Sequence, residues 1–119
     1  MLVPQLLLQR LYTFGSLKNT PDGVFFSLKN RLKDVVLTSM PNVRIGALDI
    51  PAEELQVDLG DGEWRPVTDI SPQQPHSFQL KAVARFRAIG KQLEEGKHPL
   101  EISFEVQGLG ALRIKVEDH

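Results

Sequence analysis

The stretch FQLKAVARFRA, from Phe78 to Ala88, decides the fold class. Phe78, Leu80, Ala82, Ala84, Phe86 and Ala88 recur at every second position, so an extended chain places them on one face. Gln79, Lys81, Val83, Arg85 and Arg87 fall between them and form a mostly polar opposite face. A helical period would scatter the apolar set around a cylinder. The segment therefore predicts a β-strand with one side in a core and the other toward solvent.

The same alternation extends in both directions. Leu100, Ile102, Phe104 and Val106 alternate with Glu101, Ser103, Glu105 and Gln107. Leu112, Ile114 and Val116 alternate with Arg113, Lys115 and Glu117, and Gly108-Leu109-Gly110 joins the two runs as a hairpin would. Leu55, Val57 and Leu59 lead into the turn Gly60-Asp61-Gly62, and Trp64 and Val67 return from it. The size and strand context of Trp64 place it in the core. Nearer the N-terminus, the turn Thr20-Pro21-Asp22-Gly23 precedes Val24, Phe26 and Leu28. Asn30 is out of place in phase with these three, which implies a bend or a buried amide hydrogen bond. Val35 to Met40 reads as a strand broken by Pro41-Asn42, after which Val43, Ile45 and Ala47 alternate again.

Helical signals are few. Pro51 to Glu54 can form one short turn. The N-terminal dozen, Met1 to Tyr12, fits a helical stripe through Leu8, Leu11 and Tyr12 and fits a strand equally well. The total is about eight or nine short strands at the turn spacing of a sandwich or barrel. The expectation is one all-β domain over residues 1–119, a two-sheet antiparallel β-sandwich of immunoglobulin-like character.

Composition narrows function more by exclusion than by assignment. The 119 residues carry 14 Lys plus Arg against 15 Asp plus Glu, so no basic excess drives phosphate contacts, and a nucleic-acid partner is not expected. The absence of cysteine removes disulfides, thiolate nucleophiles and cysteine-ligated metals. The longest apolar runs, such as Leu6 to Leu8, are far short of the roughly 20 residues of a membrane span. No basic start or small-residue cleavage site frames it as a signal peptide, so the expected compartment is the cytoplasm.

Catalytic patterns are missing as well. His76, His98 and His119 have no metal-ligand spacing, and no HExxH, GxSxG or GxGxxG pattern occurs. Asp58, Asp61 and Glu63 surround a turn too short to form a calcium loop. No catalytic, metal or cofactor residue is assigned, and the chain is read as non-catalytic on its own. Lys29-Asn30-Arg31-Leu32-Lys33 is the one basic cluster, and it lacks the interleaved aromatics of a nucleic-acid platform. Phe25, Val36, Met40 and Val83 lie off the main apolar phase, where a contiguous patch would mark a partner surface. Phe25, Lys29, Arg31 and Met40 are therefore the candidate partner-interface residues. A sugar platform would need an exposed aromatic side chain, and Trp64 is the obvious candidate.

A family pattern runs through FGSLKN at Phe14 to Asn19, DGVFF at Asp22 to Phe26 and Arg31-Leu32. It continues with SMPNVRI at Ser39 to Ile45, IPAEEL at Ile50 to Leu55, GDGEW at Gly60 to Trp64 and LEEGKHPLEI at Leu93 to Ile102. Together these segments resemble the small β subunits of bacterial C-glycoside deglycosidases, all-β accessory chains beside a larger metal-dependent subunit. They are also similar to short bacterial proteins or appended domains labelled hydroxymethylglutaryl-CoA reductase, which are too short to hold the reductase fold. Both resemblances imply that the chemistry belongs to another chain or domain. The first functional expectation is an accessory subunit bound to a larger enzyme. The second is a small protein or domain tied to a hydroxymethylglutaryl-CoA reductase or isoprenoid pathway. The third is a freestanding ligand or carbohydrate binder. A hetero-oligomer is the expected assembly, with self-association as the other arrangement to test.

Overall fold

A computed structural model describes residues 4–119. Met1, Leu2 and Val3, part of the ambiguous N-terminal dozen, lie outside the described residues. From Pro4 onward the ambiguity resolves toward helix. A single α-helical turn α1 (Gln5–Leu8) runs into a 3-10 turn at Gln9–Leu11. Leu8 and Leu11 are buried, so the stripe they form packs inward as a helical spacing allows.

Ten strands follow. They are β1 (Lys18–Thr20), β2 (Gly23–Lys29), β3 (Val35–Ile45), β4 (Leu48–Pro51), β5 (Gln56–Asp58), β6 (Trp64–Pro66), β7 (His76–Phe78), β8 (Val83–Ile89), β9 (His98–Val106) and β10 (Gly110–Asp118). One sheet has the order β1-β2-β8-β5-β6, and the other has β10-β9-β3-β4 with β7 also paired to β3. All pairings are antiparallel. In immunoglobulin lettering, β1-β2-β8-β5 falls in the order A-B-E-D and β10-β9-β3-β4 in the order G-F-C-C′. The expected sandwich is therefore the observed one, and the alternating apolar residues of both sheets meet in a shared core. Val43, Ile50, Val57, Leu100, Ile102 and Ile114 are wholly buried there, and Phe26 stacks on Phe86 with ring centroids 5.1 Å apart.

The deciding stretch departs from its reading. Phe78 to Ala88 is two strands in different sheets, β7 and β8, separated by a turn. Lys81 takes φ 74° in that turn and Leu80 is exposed. Two hydrogen bonds hold the crossing: the Leu80 N–H donates to Asp34 Oδ1 and the Lys81 N–H to the Asn30 carbonyl, each at 2.6 Å. The sequence alternation carries through a turn that the backbone does not extend through.

Pro41-Asn42 does not break its strand. β3 runs continuously to Ile45, and the irregularity appears as register shifts against β9 between Leu37 and Ser39 and between Ser39 and Asn42. A proline without an N–H is tolerated where the ladder is already interrupted. Ala47 sits in the turn before β4 instead of continuing the strand.

The N-terminal segment closes one open side of the sandwich. The Gln5 side chain donates to the Arg113 carbonyl and accepts from the Lys115 N–H, and the Gln9 side chain donates to the Lys115 carbonyl. Two glutamines thus occupy three of the backbone groups, at Arg113 and Lys115, that the β10 edge would otherwise present to another chain. Tyr12 then bridges to Leu28 on the edge of β2.

Candidate functional site

Alternation along β2, β5 and β8 sends Val24, Phe26, Val57, Ala84 and Phe86 into the core and the intervening residues outward. Pairing aligns these outward residues in two rows. Ser27, Arg85, Asp58 and Trp64 form one row, and Phe25, Arg87, Gln56 and Pro66 the other. Four strands of one sheet thus build a polar and aromatic patch from residues scattered between positions 25 and 87.

Trp64 is its centre. Half-buried, it meets the Phe25 ring edge-on with centroids 6.1 Å apart and planes at 80°. The Arg87 guanidinium lies over its ring at 4.2 Å and that of Arg85 at 5.5 Å. The electron-rich face of an indole attracts such cations. Arg87 is further fixed by donating from Nε to Gln56 Oε1 at 2.7 Å.

Asp58 anchors the patch from below. Its side chain is 2% exposed although it points away from the core. Arg85 donates to its Oδ2, and the N–H groups of Gly60 and Gly62 donate to its Oδ1 at 2.9 and 3.0 Å. The Arg85 hydrogen bond, helped by the Gly60 and Gly62 N–H groups against the cost of burial, holds its carboxyl below the usual carboxylate range. Gly60 and Gly62 both adopt positive φ, 110° and 80°, which lets their amides converge on one oxygen. The acidic hairpin tip is therefore a carboxylate-capped turn that positions Trp64.

The four expected partner residues separate. Phe25 belongs to the patch, and Lys29 lies on the same outward face at the end of β2, opposite Val83. Arg31 is used internally: its guanidinium donates to the carbonyls of Arg10 and Tyr12 and to Thr13 Oγ1. Met40 is 2% exposed and belongs to the core, because the bulges of β3 rotate it inward. Trp64, expected in the core, lies on the outer face instead, since β6 is an edge strand and Asp58 holds its partner position. Arg85 and Arg87 carried no distinguishing mark in the sequence beyond flanking Phe86 on an alternating strand.

Other chemistry is sparse. Among the described residues, no group of three or more His, Asp or Glu side chains could hold a metal ion. Burial, with the Arg65 charge, lowers the His76 pKa, and His98 Nε2 lies 2.6 Å from the Glu94 carbonyl. Among the described residues, neither ring hydrogen-bonds a Ser, Thr or Tyr hydroxyl. No described helix is long and apolar enough to cross a membrane.

No curated protein matches the chain. A family model described as hydroxymethylglutaryl-CoA reductase, N-terminal domain, matches residues 7–119, which takes in both sheets and every residue of the patch. By that match the chain belongs to the hydroxymethylglutaryl-CoA reductase N-terminal domain family.

Proposed function

We propose that this chain is a non-catalytic β-sandwich module that docks on a larger catalytic unit of the hydroxymethylglutaryl-CoA reductase kind. The observation that carries this reading is the outward Trp64, stacked under Arg87 and braced by Phe25. Tryptophan and arginine are the residues most enriched at the energetic centres of interfaces. Here both are held in place before any partner arrives, which lowers the ordering cost of association. The family description, which names a domain of a reductase, supplies the class of partner.

The resemblance to deglycosidase β subunits gives the same kind of module a different partner, a sugar-active enzyme. A freestanding sugar platform is less well supported, because Arg87 covers the Trp64 ring on which a pyranose would stack.

The experiment is co-purification of the tagged chain from its native host, followed by size-exclusion chromatography and mass spectrometry. Stoichiometric co-elution with a reductase, weakened at least tenfold by Trp64→Ala, is the expected result. Co-elution with a glycoside-cleaving enzyme would move the partner to the deglycosidase class. A lone monomer would overturn the docking reading.

A further inference from the structure

On the side of the sandwich closed by the N-terminal segment there is a cavity of about 340 Å³. Leu8 and Leu11 cover it, Leu28 and Phe86 of one sheet form one wall, and Met40 and Phe104 of the other sheet form the opposite wall. It also reaches Leu7, which is 40% exposed, the exposed Lys33 and the half-exposed Leu109, so it opens to solvent there. Its volume falls within the range of small-molecule pockets, roughly 300–1,000 Å³.

The lining defines the chemistry of an occupant. Among the described residues, Asn30 and Lys33 are the only polar residues on it. Asn30 is fully occupied by the protein: its Nδ2 donates to the carbonyls of Lys33 and Phe78, and its Oδ1 accepts from the N–H groups of Leu32 and Lys33. Among the described residues no side chain in the interior is left to bind a polar group, so the body of the ligand must be hydrocarbon. Among the described residues, Lys33 is the one charge on the lining, and no carboxylate lies within salt-bridge distance of its ammonium group. Neighbouring Asp34 turns its Oδ1 to the Leu80 N–H instead. A dry cavity of about 150 Å³ takes a benzene ring, so this one has room for a chain of about ten carbons.

We propose that this cavity binds a single-chain anionic amphiphile, its hydrocarbon chain between the sheets and its head group at Lys33. A lysine acts as a point charge and does not itself choose between carboxylate and phosphate. The lining shares no residue with the Trp64 patch and lies on the opposite face of β2 and β8, so the proposal stands independently of the docking reading.

The test is a titration of the isotopically labelled full chain with decanoate, decyl phosphate and decanol below their self-association concentrations, followed by amide chemical shifts. Saturable shifts at Leu28, Met40 and Phe104 with an anionic probe are expected, and the tighter of the two anions identifies the head group. Lys33→Glu should weaken that binding at least tenfold and leave decanol unaffected. Ala84→Leu, which fills the cavity from the β8 wall, should abolish binding of all three probes. If that variant does not fold, the map of shifts on the unaltered chain decides instead. Absence of saturable shifts, shifts confined to other surfaces, equal binding of decanol and decanoate, or retained binding in folded Ala84→Leu would each overturn the proposal.

Discussion

The Tyr12 hydroxyl donates a 2.7 Å hydrogen bond to Oδ2 of Asp118, a buried contact between residues 106 apart in sequence. The same oxygen accepts from the N–H of Gly15 at 2.9 Å, and Oδ1 accepts from the N–H of His119. One carboxylate at the end of β10 thus ties the segment after α1 to the last strand. Tyr12→Phe keeps the ring and removes one donor from a buried anion. A hydrogen bond to a charged group contributes about 1.5–3 kcal/mol, and that loss is the expected destabilisation in urea unfolding. Unchanged stability would mean that the backbone donors alone satisfy Asp118.

The same carboxylate makes acid stability predictable. Burial works to raise the Asp118 pKa, but the Tyr12 hydroxyl and the surrounding N–H groups together hold it below its ordinary value. Asp58 is lowered in the same direction, chiefly by Arg85. A carboxyl with a depressed folded pKa contributes stability that is fully present above its unfolded value, about 3.9, and is lost as pH falls through the folded one. The unfolding free energy should therefore be level with respect to these two groups from neutral pH to about 5, and should fall steeply below about 4. Asp118→Asn should be less stable at neutral pH and show a shallower acid slope in the same urea series.

Gly23 is required by contact as much as by conformation. It opens β2 with φ 153°, and an added Cβ would lie 2.2 Å from the Ala88 carbonyl oxygen of the paired strand. That neighbour is backbone in the middle of a sheet and cannot rotate aside. Gly23→Ala should cost at least about 3 kcal/mol, the range of severe steric mutations, or prevent folding. Gly62→Ala is the control. Nothing lies within 4 Å of its Cβ position, so it should lose only what positive φ costs, on the order of 1 kcal/mol.

Such contacts mark the limit of what the sequence shows. Period-two runs such as Leu100 to Val106 read cleanly because both their ends and their buried face are set by local pattern. Phe78 to Ala88 misreads because a turn of even length preserves the alternation, and the Asp34 side chain and the Asn30 carbonyl, nearly fifty positions away, hold the chain in that turn. The anomaly of Asn30 was visible, and it resolves as both options at once: β2 ends at Lys29 and the amide is buried and fully bonded. The Trp64 patch was not legible. Its members touch through lateral register across four strands, and nothing in a linear sequence encodes that register.

That register makes a prediction about Trp64 itself. A half-buried indole beneath two guanidinium groups should emit at a wavelength between those of a buried and a fully exposed tryptophan, and acrylamide should quench it partly. Arg87→Ala removes the cation 4.2 Å from the ring and the bond to Gln56, while leaving the core beneath untouched. Its emission should shift red and its quenching should rise, with a stability loss of about 0.5–1 kcal/mol, as for a partly exposed cation–π contact. Docking should act in the opposite sense, protecting the indole from acrylamide when the catalytic partner is added. If the partner binds and leaves the quenching unchanged, the interface lies elsewhere on the sandwich, and the charged outer face of the β10-β9-β3-β4 sheet becomes the surface to map.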